Sequence, residues 1–224
     1  MYKYYKDNLS GERLKRVYEI APERVRQYLE AETTHVVERI ERGSTVLELG
    51  CGYGRILPRL ADKGGTVIGI DTSFDSLLLG RRELGRLSRC HLLCMDAAAL
   101  AFSDRGFDCV VCIQNGISAF HADQHELIRE AARVTRRGGT VLFSTYAGRF
   151  WDDRLEWFGL QAEAGLLGEI DYDKTGDGVI VCKDGFTATT VRPSTFLALT
   201  QGLDAEVRLV EVDESSLFCE ITPR

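Results

Sequence analysis

The sequence predicts an α/β fold: a mostly parallel sheet covered by helices on both faces and closed by an antiparallel hairpin. Three observations predict it. From Thr45 onward, short apolar runs alternate with helical stretches, the pattern of parallel strands joined by crossover helices. The first run, Val46 to Leu49, ends in the glycine-rich turn Gly50-Cys-Gly-Tyr-Gly54, and a helix follows at once. Two final runs, Ala205 to Val212 and Leu217 to Thr222, flank Asp213-Glu-Ser-Ser and read as a closing antiparallel hairpin.

Residues 1–43 read as a helical arm. Leu9 to Tyr18 suits a short helix. Pro22 opens a longer one from Glu23 to about Arg42, because proline is well placed in a first turn. Val25, Leu29, Val36, Val37 and Ile40 supply an apolar stripe, and Gly43 ends the helix. The arm is rich in tyrosine, at positions 2, 4, 5, 18 and 28. It reads either as packing or as a lid over a ligand mouth.

The alternating part then runs strand 45–49, helix 55–63, strand Thr66 to Ile70, helix Ser73 to about Leu87, and strand His91 to Cys94. A loop carrying Asp96 leads to strand Phe107 to Ile113, helix Asp123 to Arg136, the turn Arg136-Arg-Gly-Gly139 and strand Thr140 to Thr145. Beyond it, residues 147–168 form an aromatic-rich helical stretch. The runs Glu169 to Asp173, Val179 to Lys183 and Phe186 to Val191, separated by Gly- and Asp-bearing turns, read as a small β-meander. Ser194 suits the cap of a short helix ending near Gln201. No repeat, low-complexity tract or flexible linker divides the chain. Residues 1–224 are therefore expected to form a single domain, with 1–43 as an arm and 147–192 as a lid insertion.

Composition narrows the function. At 44% hydrophobic and 28% charged residues, the chain matches a globular domain able to bury a substantial core. No apolar run approaches the roughly 20 residues that span a bilayer. The N-terminus lacks the apolar core of a signal peptide. The expected location is cytoplasmic, with no membrane partner. A net charge of −6 argues against a nucleic-acid partner. The seven cysteines are odd in number and sit mostly in apolar runs, as reduced core cysteines do. Cys109 and Cys112 have redox or metal spacing, but residues three apart on a strand point to opposite faces. No metal site is expected.

The glycine turn defines the ligand. Alternate glycines admit positive φ and close approach, and the helix beginning at Arg55 points free N–H groups back at the turn. A dinucleotide fold favours Gly-x-Gly-x-x-Gly; here the third glycine arrives one residue early. A phosphate-binding P-loop is excluded because no Gly-Lys-Ser/Thr follows. Asp71 lies 21 residues after Gly50, at the end of the second strand, where a carboxylate can accept both ribose hydroxyls. A nucleoside-type ligand is expected, with Gly50, Cys51, Gly52, Tyr53 and Gly54 beneath it and Asp71 on its ribose.

With these features in place, the chain resembles the class I S-adenosylmethionine-dependent methyltransferases over about residues 44–146 and, more loosely, the last 30. Glu48-Leu-Gly-Cys-Gly-Tyr-Gly is similar to the family's acid-x-Gly-x-Gly-x-Gly motif, Gly69-Ile-Asp-Thr-Ser73 to its second motif and Met95-Asp-Ala97 to its third. Phe107 to Ile113 with Gln114 and Asn115 resembles the fourth strand, and Arg137 to Phe143 the fifth. The resemblance implies a Rossmann-like, seven-stranded, mostly parallel sheet with a final antiparallel hairpin, and S-adenosyl-L-methionine as cofactor. Glu48 and Gly50 to Gly54 would meet its amino-acid end, and Arg55 would pair with its carboxylate. Asp71 would hold the ribose and Asp96 the adenine. Thr72 and Ala97 would add backbone contacts, and Ile113, Gln114 and Asn115 would line the methyl-donor pocket.

The acceptor is expected to be a small molecule roofed by residues 147–192 and the N-terminal helices. His121 and Tyr146 are candidate general bases. Trp151, Trp157 and Phe158 are candidate pocket walls. Asn115 lacks the following Pro-Pro-aromatic of the family's nucleic-acid base methylating members. Nine acids against five bases in 147–192 suggest an acceptor that is not strongly anionic. Two other readings stay open: methylation of a protein or of a thiol- or arsenic-type acceptor, and a non-catalytic nucleoside-cofactor-binding Rossmann protein or a Rossmann oxidoreductase. Nothing in the sequence fixes an oligomeric state.

Overall fold

A computed structural model describes residues 4–85 and 87–224; Tyr2 of the tyrosine-rich arm lies outside the described residues. The arm forms α1 (Tyr4–Asn8), α2 (Glu12–Glu19) and α3 (Glu23–Arg39). Then follow β1 (Val46–Leu49), α4 (Leu57–Lys63), β2 (Val67–Asp71), α5 (Phe74–Leu84), β3 (Cys90–Cys94), β4 (Phe107–Cys112), α6 (Gly116–Ala119), α7 (Gln124–Val134) and β5 (Thr135–Tyr146). After β5 come α8 (Trp151–Glu163), the short pair β6 (Ile180–Val181) and β7 (Thr187–Ala188), α9 (Pro193–Leu199), β8 (Ala205–Val212) and β9 (Ser216–Pro223).

Seven strands make one sheet in the order β3-β2-β1-β4-β5-β9-β8. The first five are parallel, and β9 enters antiparallel between β5 and β8. Chain order therefore reverses between β1 and β4, and ligands of such sheets bind at that switch point, beyond the strand carboxyl ends.

The apolar runs are continuous because both sheet faces are covered. Leu47, Val110, Val141 and Phe143 join Leu127 and Ile128 of α7 in one cluster. Their chain neighbours Val46, Val111 and Leu142 join Val36 of α3 and Leu57 and Leu60 of α4 in another. That is the period of two expected of a pleated strand. It also puts Cys112 on the first face and Cys109 on the second.

A third cluster lies off the sheet. Leu9, Val17, Val25 and Tyr28 of the arm pack with Trp157, Phe158, Ile180 and Phe186 of the segment after β5. The arm and the insertion thus form one cap. α3 bridges cap and sheet, with Tyr28 in the cap cluster and Val36 against the sheet. Arg13 adds hydrogen bonds to the carbonyls of Gly165 (2.8 Å) and Leu166 (3.0 Å).

Several boundaries differ from the sequence expectation. α3 stops at Arg39, with Ile40 already extended (φ −82°, ψ 125°). The meander is thinner than its apolar runs imply: β6 and β7 pair over two residues each, and Glu169–Asp173 contributes a single bridge, Ile170 to Cys182. Side-chain bonds replace ladder bonds there, as where Thr175 Oγ1 accepts from the Val181 N–H at 3.1 Å. α9 begins at Pro193 with Arg192, not Ser194, at the N-cap.

Candidate functional site

The turn after β1 is built for close approach. Gly50, Gly52 and Gly54 have φ of 73°, 57° and 77°, which side chains disfavour. A Cβ on Gly50 would lie 2.5 Å from the Phe120 ring, and one on Gly52 would lie 2.8 Å from Leu14. Asp71, at the end of β2, fastens the turn: the Gly52 N–H donates to Oδ2 at 2.9 Å and the Ser73 N–H to Oδ1 at 2.7 Å. Burial raises the Asp71 carboxyl, and these N–H groups hold it down.

Beyond the strand ends lies a cavity of about 340 Å³. Its floor includes Gly50, Cys51, Gly52 and Tyr53. Asp71, Thr72, Asp96 and Ala97 line one end, and Glu48, Arg55, Ile113 and Gln114 stand on the wall too. Gly54 is absent from the lining and packs instead toward Leu57 and Leu84.

Asn115 also stands off the cavity, contrary to the expectation. It is 4% exposed, with φ 61°. Its Oδ1 accepts from Thr145 Oγ1 at 2.8 Å, and its Nδ2 donates to the Thr189 carbonyl at 2.9 Å. The side chain is consumed in joining β4's end to β5 and to the cap.

The electrostatics single out Glu48 and Arg55. Glu48 Oε2 and Arg55 Nη2 are buried without a hydrogen-bond partner. Burial pushes the Glu48 carboxyl up to about 8 against the pull of Arg55. The Arg55 guanidinium lies over the Tyr18 ring, 4.6 Å from its centroid. An orphaned acid and an orphaned cation beside one glycine turn fit a ligand end carrying both an ammonium and a carboxylate. Asp71 and Asp96 fit the hydroxyl- and amine-bearing remainder of a nucleoside. The residues present therefore suit S-adenosylmethionine.

Both candidate bases line the cavity. His121 follows α6 with φ 48°. Burial lowers its pKa, and the Thr187 backbone accepts from the ring. Tyr146 is 7% exposed, and burial raises its hydroxyl well above the usual range, which disfavours a tyrosinate. Trp157 and Phe158 are on the wall, whereas Trp151 is not. The Trp157 Nε1–H donates to the Val17 carbonyl at 3.0 Å.

Three site residues escaped the sequence reading. Glu32 of α3 is fully buried and accepts from the Gln114 N–H at 3.0 Å and from Ser216 Oγ at 2.9 Å; burial raises its carboxyl to about 7. Arg154 of α8 is 1% exposed. It donates to the carbonyls of Gly178 and Ala188 and to Thr190 Oγ1, and its guanidinium lies 4.3 Å from the Tyr146 ring centroid. Gln161, also on α8, is 2% exposed and lines the cavity. A signal existed for the first two: Glu32 falls on the stripe Val25, Leu29, Val36, and Arg154 falls on the stripe Phe150, Trp157, Phe158. A charge on the apolar face of a helix marks a buried polar role.

Comparison with known proteins agrees with this geometry. A family model described as a methyltransferase domain matches residues 46–139. An arsenite methyltransferase of Aquipseudomonas alcaligenes is 32% identical over 126 residues, covering 50% of this chain and 36% of that protein. A malonyl-[acyl-carrier protein] O-methyltransferase of a Marinomonas species is 32% identical over 127 residues, covering 54% of this chain and 45% of that protein. The chain thus spans less than half the length of either relative. The solved structure of the PH0226 protein from Pyrococcus horikoshii shares the fold over the full length of both chains, with a TM-score of 0.67 and 19% identity. The domain match over residues 46–139, the sheet order and the charged glycine turn together support a class I S-adenosylmethionine-dependent methyltransferase.

Proposed function

We propose that the protein transfers a methyl group from S-adenosylmethionine to a small molecule held between the sheet and the cap. The observation that carries this reading is the single cavity running from the glycine turn to the aromatic side chains of the cap. When bound, the cofactor supplies a sulfonium methyl already activated toward a nucleophile. The protein's task is then alignment and exclusion of water.

Glu48 and Arg55 hold the amino-acid end, over Gly50, Cys51 and Gly52. Asp71 accepts from the ribose hydroxyls and Asp96 from the adenine amine. Thr72, Ala97 and Ile113 close around the nucleoside, and Gln114 faces the acceptor side. Asn115 and Glu32 act beneath the wall, fixing the turn after β4. His121, its pKa lowered by burial, is the better placed base; Tyr146 shapes the pocket.

The two curated relatives described above act, by their names, on arsenite and on an acyl-carrier-protein-bound malonyl group. An arsenic-type acceptor wants clustered thiols, and no cluster of metal-binding side chains occurs among the described residues, so a small organic acceptor is favoured. All seven cysteines are free, which supports a reducing, cytoplasmic location. No helix among the described residues is long and apolar enough to cross a membrane. The test is incubation with methyl-labelled S-adenosylmethionine and a metabolite extract, followed by mass spectrometry. Label in a small-molecule fraction is expected; label only in protein, or nowhere, contradicts the reading.

A further inference from the structure

The cap half of the cavity has a chemistry of its own. Tyr18, Tyr146, Trp157 and Phe158 give it ring walls. Most of its polar groups are engaged within the protein: Tyr18 Oη donates to Gln114 Oε1 at 2.9 Å, Trp157 Nε1 to Val17, and Tyr4 to Asp184. Gln161 differs. It lines the cavity and is 2% exposed; its backbone carbonyl accepts from the Leu166 N–H at 2.9 Å, and its side-chain amide makes no hydrogen bond among the described residues. An amide at a cavity wall that makes no bond within the protein is available to a ligand there.

Charge separates the two halves. The carboxylates on the wall are Glu48, Asp71 and Asp96, all on the cofactor side at the ends of β1, β2 and β3. Behind the cap half stands Arg154, buried over the Tyr146 ring, with carbonyls and a hydroxyl but no carboxylate as partners. Lys6 stands on the rim. Two acids stand behind the wall: Asp184, which accepts from the Tyr4 hydroxyl, and Glu32, which is occupied by the Gln114 N–H and Ser216. A positive field with no wall carboxylate repels an ammonium and favours an oxygen that carries negative charge.

We propose that the acceptor is a flat aromatic hydroxy compound, a phenol, and that Gln161 is the specificity-determining residue that hydrogen-bonds its oxygen. This rests on the methyltransferase reading above and adds the substrate class. It also revises the inference from the lid's surface charge: the acids of residues 147–192 are balanced on the inside by Arg154.

The probes are 4-nitrophenol, partly ionised near neutral pH, and benzylamine, a ring of similar size carrying an ammonium. Both are titrated calorimetrically into the full chain, with and without S-adenosylhomocysteine. The expected result is saturable 4-nitrophenol binding at least tenfold tighter than benzylamine, weakened about tenfold by Gln161→Leu with S-adenosylhomocysteine affinity unchanged. The comparison on the unaltered chain stands even if the variant misfolds. Equal or tighter benzylamine binding, no saturable 4-nitrophenol binding, or an unaffected Gln161→Leu overturns the inference. Failure of the chain to bind S-adenosylhomocysteine, with the phenol preference intact, instead overturns the cofactor reading.

Discussion

The indole of Trp157 donates its N–H to the backbone carbonyl of Val17 at 3.0 Å, joining α8 of the insertion to α2 of the arm 140 residues earlier in the chain. Both residues line the cavity, so this bond closes the cap over it. Trp157→Phe keeps the ring and removes the donor, and is expected to cost about 1 kcal/mol. Trp157→Ala is expected to cost about 3–5 kcal/mol through the void it leaves. Chemical denaturation measures both. In both variants acceptor turnover falls more than S-adenosylhomocysteine affinity.

Asp71 acts on the turn before any ligand arrives, through the N–H groups of Gly52 and Ser73. Asp71→Asn replaces one accepting oxygen by a donor facing an N–H. The expected effect is a loss of about 1–3 kcal/mol in stability and a fall in S-adenosylhomocysteine affinity of at least tenfold, read by thermal unfolding and calorimetry.

Asn115 predicts the opposite division. Asn115→Ala removes two buried hydrogen bonds and puts alanine at φ 61°. The expected cost is about 2–4 kcal/mol, while S-adenosylhomocysteine affinity at a temperature where the variant is folded changes less than about threefold. A larger loss of affinity would return Asn115 to the binding site.

The pH dependence follows from Glu48. Burial raises its folded pKa from an ordinary 4.5 to about 8, so the folded chain holds this proton more tightly than the unfolded chain. The associated stability is fully present below about pH 4.5 and is lost as pH rises through 8. Glu48→Gln carries no such charge. It should flatten the stability profile between those limits and exceed the parent above pH 8 by on the order of a few kcal/mol. Denaturation series across pH measure this. A ligand ammonium beside Glu48 favours the carboxylate, so S-adenosylhomocysteine binding at pH 7 releases a proton, seen as a binding heat that varies with the buffer's ionisation enthalpy.

Sheet and glycine turn were legible because their signals are local. Val46/Leu47 and Val110/Val111 are apolar in pairs because each face has its own cluster, and the turn needs glycine where φ is positive. The four residues of α6 were not legible, being too short to show a helical period. Asn115 misled because its partners, Thr145 and Thr189, are 30 and 74 residues away. Its sequence position next to Gln114 says nothing of which way the side chain turns. Glu32 and Arg154 lay on apolar stripes that were read for their hydrophobic members alone. The union of arm and insertion into one cap depends on contacts such as Tyr4 with Phe186, which no local pattern encodes.

The most direct test of the account is calorimetric titration of the full chain with S-adenosylhomocysteine and, separately, with NAD. The account predicts saturable binding of S-adenosylhomocysteine at one site per chain, weakened by Asp71→Asn, and no comparable heat from NAD. Tighter binding of NAD, or S-adenosylhomocysteine binding unaffected by Asp71→Asn, would contradict it.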